Sequence, residues 1–196
     1  MIILASGSAT RRAMLEQVGV SFVVDTAPVD EAAVKEAMRA ETGNPARVAE
    51  VLAELKATRV ATRHPGTIVI GADQMLDCDG AWFDKPDSRE QAREQLCALR
   101  GKTHRLTSAV VAVRDGQRLW HHAESAKLTM RRFSDAFLDS YLDQAGEAVL
   151  SSVGAYQLEG LGAQLFMLTE GDFFTILGLP LLALLDFLRE NGELLS

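Results

Sequence analysis

Hydrophobic and polar positions along the chain switch between a period near two and a period near 3.6. Residues 1–5 are an apolar run that predicts a buried strand, and Ser6-Gly7-Ser8 breaks it. From Arg11 a helix is expected, with Met14, Leu15 and Val18 on one face and Gly19 as its stop. Phe22–Val24 reads as a second short strand. Asp30 is placed to cap a helix running to about Thr42, and Gly43-Asn44-Pro45 separates it from the next. That next helix carries Val48, Val51, Leu52 and Leu55 at i, i+3, i+4 and i+7, the cleanest helical stripe in the chain.

Residues 67–72 (TIVIGA) form a continuous apolar run rich in β-branched residues, the pattern of a central strand, with Asp73 at its end. Asp79-Gly80 predicts a hairpin turn. Ser88 with Gln91 three residues on is a capping box, and Gly101 ends the helix it opens. Residues 103–114 and 117–131 predict a long hairpin turning at Asp115-Gly116. Ser134 caps a helix with Phe137, Leu138, Tyr141 and Leu142 on one face. After the glycine-rich stretch GAYQLEGLGA, strands are expected at 165–168 and 173–176, then a helix from Pro180 that Gly192 closes. Helices alternate with strands early and an antiparallel hairpin sits in the middle, so the expected class is a mixed α/β sheet with helices packed on it.

The length of 196 residues fits a single domain, residues 1–196, with room for two lobes. Twenty Lys+Arg against twenty-seven Asp+Glu leave a net charge of −7, a poor match to a nucleic-acid binder resting on phosphate neutralisation. Cys78 and Cys97 match no zinc or redox spacing, and neither a membrane span nor a secretory signal is read, so a soluble cytoplasmic protein is expected. His121-His122 are adjacent on a predicted strand and face opposite ways, and His64 and His104 have no partners at ligand spacing.

Two features point to chemistry. In Ser6-Gly7-Ser8-Ala9-Thr10-Arg11-Arg12, two cations sit in the first turn of a helix, where the macrodipole disfavours them by about 0.3–1 kcal/mol. A bound anion reverses that sign, because backbone N–H groups, hydroxyls and guanidinium forks would then converge on phosphate oxygens. The competing reading is a plain Ser8 or Thr10 cap with solvated arginines. Asp73, at the end of a central strand, stands where open α/β sheets place ligands, and could bind a divalent cation or act as a base toward water. Lys85, in Asp84-Lys85-Pro86 across the predicted turn, suits a point charge on phosphate. Taken alone, Glu31 is an ordinary first-turn acid and Lys56 a solvated edge residue.

Together these segments resemble the Maf family of nucleotide pyrophosphatases. The resemblance rests on LASGSATRR, Val29-Asp30-Glu31, Leu55-Lys56-Ala57, Gly71-Ala72-Asp73-Gln74, Asp84-Lys85-Pro86, Gly154-Ala155-Tyr156 with Glu159-Gly160-Leu161-Gly162, and Leu177-Gly178-Leu179-Pro180-Leu181, all in order. It implies a strongly bent α/β sheet flanked by helices around a long cleft between two lobes, as in the inosine triphosphatase-like enzymes, and a homodimer. It implies hydrolysis of a nucleoside triphosphate between the α and β phosphates with Mg²⁺, Mn²⁺ or Co²⁺. By motif position Ser6, Ser8, Arg11, Arg12 and Lys56 would bind substrate, Asp73, Lys85 and Glu31 would be catalytic, and Glu31 and Asp73 would hold the metal. Thr10, Gln74 and Glu159 would set specificity: Gln74 and Glu159 resemble the branch acting on 7-methyl-GTP, while Ala9-Thr10 lacks the bulky aromatic often found there. A dTTP/UTP or CTP pyrophosphatase is the alternative within the family. Outside it stand a non-hydrolytic nucleotide-binding regulator of cell division and a phosphomonoesterase.

Overall fold

The computed structural model describes residues 1–195. The elements in order are β1 (Ile2–Leu4), α1 (Ala9–Gln17), β2 (Phe22–Val24), α2 (Glu31–Glu41), α3 (Pro45–Ala61), β3 (Ile68–Cys78), β4 (Ala81–Phe83), α4 (Arg89–Leu99), β5 (Thr103–Arg114), β6 (Gln117–Met130), α5 (Asp135–Ala145), β7 (Phe166–Glu170), α6 (Phe173–Ile176) and α7 (Leu181–Glu190), with short 3₁₀ turns between α5 and β7. Seven strands make one mixed sheet in the order β2-β1-β3-β5-β6-β7, and β4 pairs with β3. This is the expected mixed α/β sheet flanked by helices. None of the described helices is long and apolar enough to cross a membrane.

Two compact units share the chain. The first comprises Met1–Gln74, Thr107–Glu124 and the residues from Gly178 onward; the second comprises Met75–Leu106 and Ser125–Leu177. In the first unit β1 runs parallel to both β2 and β3, with Ile2 opposite Phe22 and Ile68, and Leu4 opposite Val24 and Ile70. All three residues of β1 are buried, as a strand between two parallel neighbours requires. The helix predicted on Val48, Val51, Leu52 and Leu55 forms, but its fully buried face is Val48, Ala49, Leu52, Ala53, Ala57 and Val60, with Val51 and Leu55 half-buried. Small alanines carry the tightest packing, and an apolarity scan ranks them low.

The second unit has its own core, in which Leu96 and Leu99 of α4, Leu128 and Met130 of β6, and Leu138 and Leu142 of α5 are packed together. The Ser88–Gln91 signal is realised: Ser88 Oγ accepts from the Gln91 N–H at 3.2 Å, and Gln91 Oε1 accepts from the Asp87 N–H at 2.5 Å. The Asp79-Gly80 turn joins β3 to β4 with both residues at positive φ.

Two expectations fail. Phe173–Ile176, read as a strand, is a single helical turn. Asp172 caps it by accepting from the Thr175 N–H at 2.7 Å, and four residues rich in aromatic and β-branched types are too few for periodicity to separate strand from helix. The central strand does not stop at Ala72; it continues through Asp73 to Cys78, because the polar positions Asp73, Gln74 and Asp77 are interleaved with buried Met75, Leu76 and Cys78.

His104, set aside from sequence, is a core residue of the second unit, 2% exposed. Its Nε2 lies 2.7 Å from the Tyr156 hydroxyl, and its buried Nδ1 has no partner among the described residues. Burial lowers its pKa from 6.5 to about 4. On acidification the unfolded chain therefore takes up this proton before the folded one does. The contribution of His104 is complete above about pH 6.5 and is lost as pH falls toward 4, by up to about 3 kcal/mol. Denaturant titrations across that window are expected to show a steeper loss of stability in the wild type than in His104→Gln; parallel slopes would contradict the assignment.

Candidate active site

Strand β1 ends its parallel pairing with β3 at the Leu4–Ile70 level, where the Ala5 N–H donates to the Ile70 carbonyl at 2.7 Å. Beyond it the chain leaves the sheet as the Ser6–Gly7–Ser8 loop, while β3 runs on. Asp73 thus lies at the carboxyl end of the parallel pairing although it is in mid-strand, which is where such sheets open toward ligands.

Arg11 fills the gap that β1 leaves. Its Nη1 donates to the Ala72 carbonyl at 3.0 Å and to Ser6 Oγ at 3.1 Å, and its Nε donates to the Gly178 carbonyl at 2.8 Å. One guanidinium therefore ties the loop, β3 and the segment before α7 together. Gly178, at φ +104°, lies flat against it: a Cβ there would stand 3.5 Å from both Nε and Nη2. Burial lowers the Arg11 pKa, and the charges of Asp73 and Glu31 oppose that shift. Arg12, its neighbour in sequence, is exposed. The two arginines that sequence treats as a pair thus stand in different environments.

The serines also divide their work. Ser8 caps α1 by accepting from the Arg11 N–H at 3.3 Å, and Ser6, 5% exposed, accepts from the Ser8 N–H at 3.4 Å as well as from Arg11. In these contacts both hydroxyl oxygens act as acceptors, so each keeps its proton to donate. With the N–H groups of the first turn of α1, they form an anion-receptive rim. Thr10, half-buried, is in the same turn.

Glu31 opens α2 behind its Asp30 cap, which accepts from the Ala33 N–H at 3.0 Å. Lys56 projects from α3. Its Nζ is 2.8 Å from Glu31 Oε1 and 2.6 Å from Asp73 Oδ1, and Lys35 Nζ stands 3.9 Å from Glu31 Oε2. The Asp73 side chain is only 8% exposed, and an unpaired carboxylate at that depth would cost several kcal/mol, so the ammonium is needed where it is. Its reach is set by Gly71. A Cβ at that position would lie 2.0 Å from the Ala53 carbonyl oxygen and 3.0 Å from the Ala57 Cβ, so α3 sits against bare β3 backbone. Sequence reasoning carried Gly71 only as part of a motif and gave it no packing role, although a glycine inside a β-branched run signals a close backbone approach. It likewise gave Gly178 no role of its own, and it missed Lys35.

The structure thus brings together Ser6, Ser8, Arg11, Glu31, Lys56 and Asp73. Gln74 follows Asp73 on β3 and donates from Nε2 to Ser108 Oγ at 3.0 Å, which fixes its amide. Lys85 and Glu159 belong to the second unit, both exposed: Lys85 follows β4, and Glu159 lies in the turn after Tyr156. Among the described residues no group of three or more His, Cys, Asp or Glu side chains gathers as a metal site.

The fold is a mixed α/β sheet with an acid pair beside an anion-receptive loop, and comparison with known proteins gives its family. The Maf-like protein family model matches residues 1–191, and the chain belongs to that family. It is 76% identical over 191 residues to the nucleoside triphosphate pyrophosphatase of Paramagnetospirillum magneticum, covering 97% of this chain and 98% of that one. It is 54% identical over 193 residues to the protein of the same name in Granulibacter bethesdensis, covering 98% of each. It is 47% identical over 190 residues to the 7-methyl-GTP pyrophosphatase of Brucella abortus, covering 97% of this chain and 96% of that one.

The unequal environments of the arginines give a direct test. Arg11→Ala is expected to lower unfolding stability by about 2–3 kcal/mol, since it leaves two carbonyls and a hydroxyl without their donor. Arg12→Ala is expected to leave the denaturation midpoint unchanged and to raise KM for substrate. Equal midpoints for the two variants would contradict the division.

Proposed function

We propose that this chain is a nucleoside triphosphate pyrophosphatase that cleaves between the α and β phosphates, releasing a nucleoside monophosphate and pyrophosphate. The observation that carries the reading is the convergence of Glu31 and Asp73 on one cationic point, beside a loop of hydroxyls and backbone N–H groups that Arg11 holds in place. Relatives at 76% and 54% identity bear that activity as their names.

The donor set fits a hard divalent cation such as Mg²⁺, Mn²⁺ or Co²⁺. Two carboxylate oxygens, from Glu31 and Asp73, already meet on a single positive charge, and these are the residues that would hold the divalent cation. When bound at Glu31 and Asp73, such a cation supplies charge neutralisation for the phosphate oxygens and an acidified water. The rest is carried out by the chain. Ser6 and Ser8 donate their hydroxyl protons to phosphate oxygens, and Arg12 and the first turn of α1 add positive potential. Asp73 accepts the proton of the attacking water as it adds in line at the α phosphorus, and the α–β bridging oxygen leaves with pyrophosphate. Lys85 enters by motif position as a charge on phosphate. The same reading takes the enzyme as a cytoplasmic homodimer acting on free nucleotides and not on nucleic acid.

For the base, 7-methyl-GTP is the proposed preference. A carboxylate at Glu159 accepts hydrogen bonds from a guanine edge and complements the cation of an N7-methylated ring. The Brucella abortus relative bears that substrate in its name. A dTTP/UTP or CTP pyrophosphatase is the second reading.

Product analysis with 7-methyl-GTP, GTP, dTTP, UTP and CTP tests both levels. Pyrophosphate release is expected, with kcat/KM for 7-methyl-GTP exceeding that for dTTP at least tenfold; equal values would overturn the base assignment, and orthophosphate alone would overturn the α–β reading. Asp73→Asn is expected to lower kcat at least about 10²-fold with the fold intact, and near wild-type turnover would remove Asp73 from the chemistry.

A further inference from the structure

Lys56 places its charge between the two acids that the proposed function reads as the metal pair. Its ammonium is 2.8 Å from Glu31 Oε1 and 2.6 Å from Asp73 Oδ1, so both acids already spend an oxygen on it. The other Glu31 oxygen faces Lys35 at 3.9 Å, and Arg11 adds a further positive charge that acts on both acids. An ammonium and a divalent ion drawn to the same pair of carboxylates compete for their charge, and their like charges repel at such a separation. The Lys56 side chain is 16% exposed, and its four-carbon stem lets the charge swing while its helix stays fixed by the Gly71 contact.

We propose that Lys56 is an internal counter-ion of the carboxylate pair, which divalent metal must displace. The ammonium and the metal exclude one another. The displaced ammonium is taken up by the phosphate chain of the incoming nucleotide. Metal and nucleotide consequently bind with positive coupling, and the metal-free pocket keeps its acids neutralised. The inference rests on the reading of Glu31 and Asp73 as the metal pair, and goes beyond it in making Lys56 the competitor.

The test is Mn²⁺ binding, read from the electron paramagnetic resonance of the free aquo ion, in wild type, Lys56→Met, and the double variant Lys56→Met/Asp73→Asn. The expected result is about tenfold tighter Mn²⁺ binding in Lys56→Met, within the range usual for coupled sites, and loss of that binding in the double variant. Binding that is unchanged or weaker in Lys56→Met but still abolished by Asp73→Asn would overturn the counter-ion role and leave the metal pair standing. Binding that is as tight in the double variant as in Lys56→Met would overturn both. The wild-type chain supplies a second measurement that needs no substitution. With ¹⁵N-labelled lysine, the Lys56 ammonium signal is expected to be protected in metal-free protein and to move or broaden away as Mg²⁺ is added. A signal unmoved through Mg²⁺ saturation overturns the proposal.

Discussion

One contact organises the first unit: the Lys56 ammonium held between the carboxylates of Glu31 and Asp73. It exists because α3 lies directly on β3 backbone at Gly71, through Ala53 and Ala57, so that a lysine one residue before Ala57 reaches an aspartate two residues after the glycine. Larger side chains at any of these three small positions would lift the helix and leave a buried carboxylate without a counter-charge. Small residues in the packing and charged residues in the pocket are thus parts of one geometric condition.

Arg11 plays the complementary part for the backbone. Where β1 leaves β3, the Ala72 carbonyl of β3 would lack a donor, and the guanidinium supplies it while also gripping the loop serine and the Gly178 carbonyl. The unfavourable placement of a cation in the first turn of α1 is offset by those three acceptors and by the nearby acids. The anion-receptive rim can therefore be pre-formed, with Arg12 as the exposed cation beside it.

Much of this was legible in the sequence, and the failures have physical reasons. The strand, helix and turn signals of the first 60 residues held because each helix had a capping side chain and each strand an apolar run. Phe173–Ile176 misled because four residues do not carry a period. Glu31 and Lys56 looked like ordinary surface residues because nothing local to either shows that they meet across 25 positions of chain and a third element. His104 was passed over for lack of ligand spacing, and its significance is burial against Tyr156, which only tertiary structure reveals. The two arginines look alike in sequence because their difference lies in Ala72 and Gly178, remote carbonyls that no motif records.

The close approach of α3 to β3 can be tested without touching a charged group, by measuring kcat and thermal unfolding of Gly71→Ala together. The added methyl is expected to push α3 off the strand, so that kcat falls at least about 10²-fold at a temperature where circular dichroism shows the variant still folded. A folded Gly71→Ala protein turning over at the wild-type rate would contradict the account.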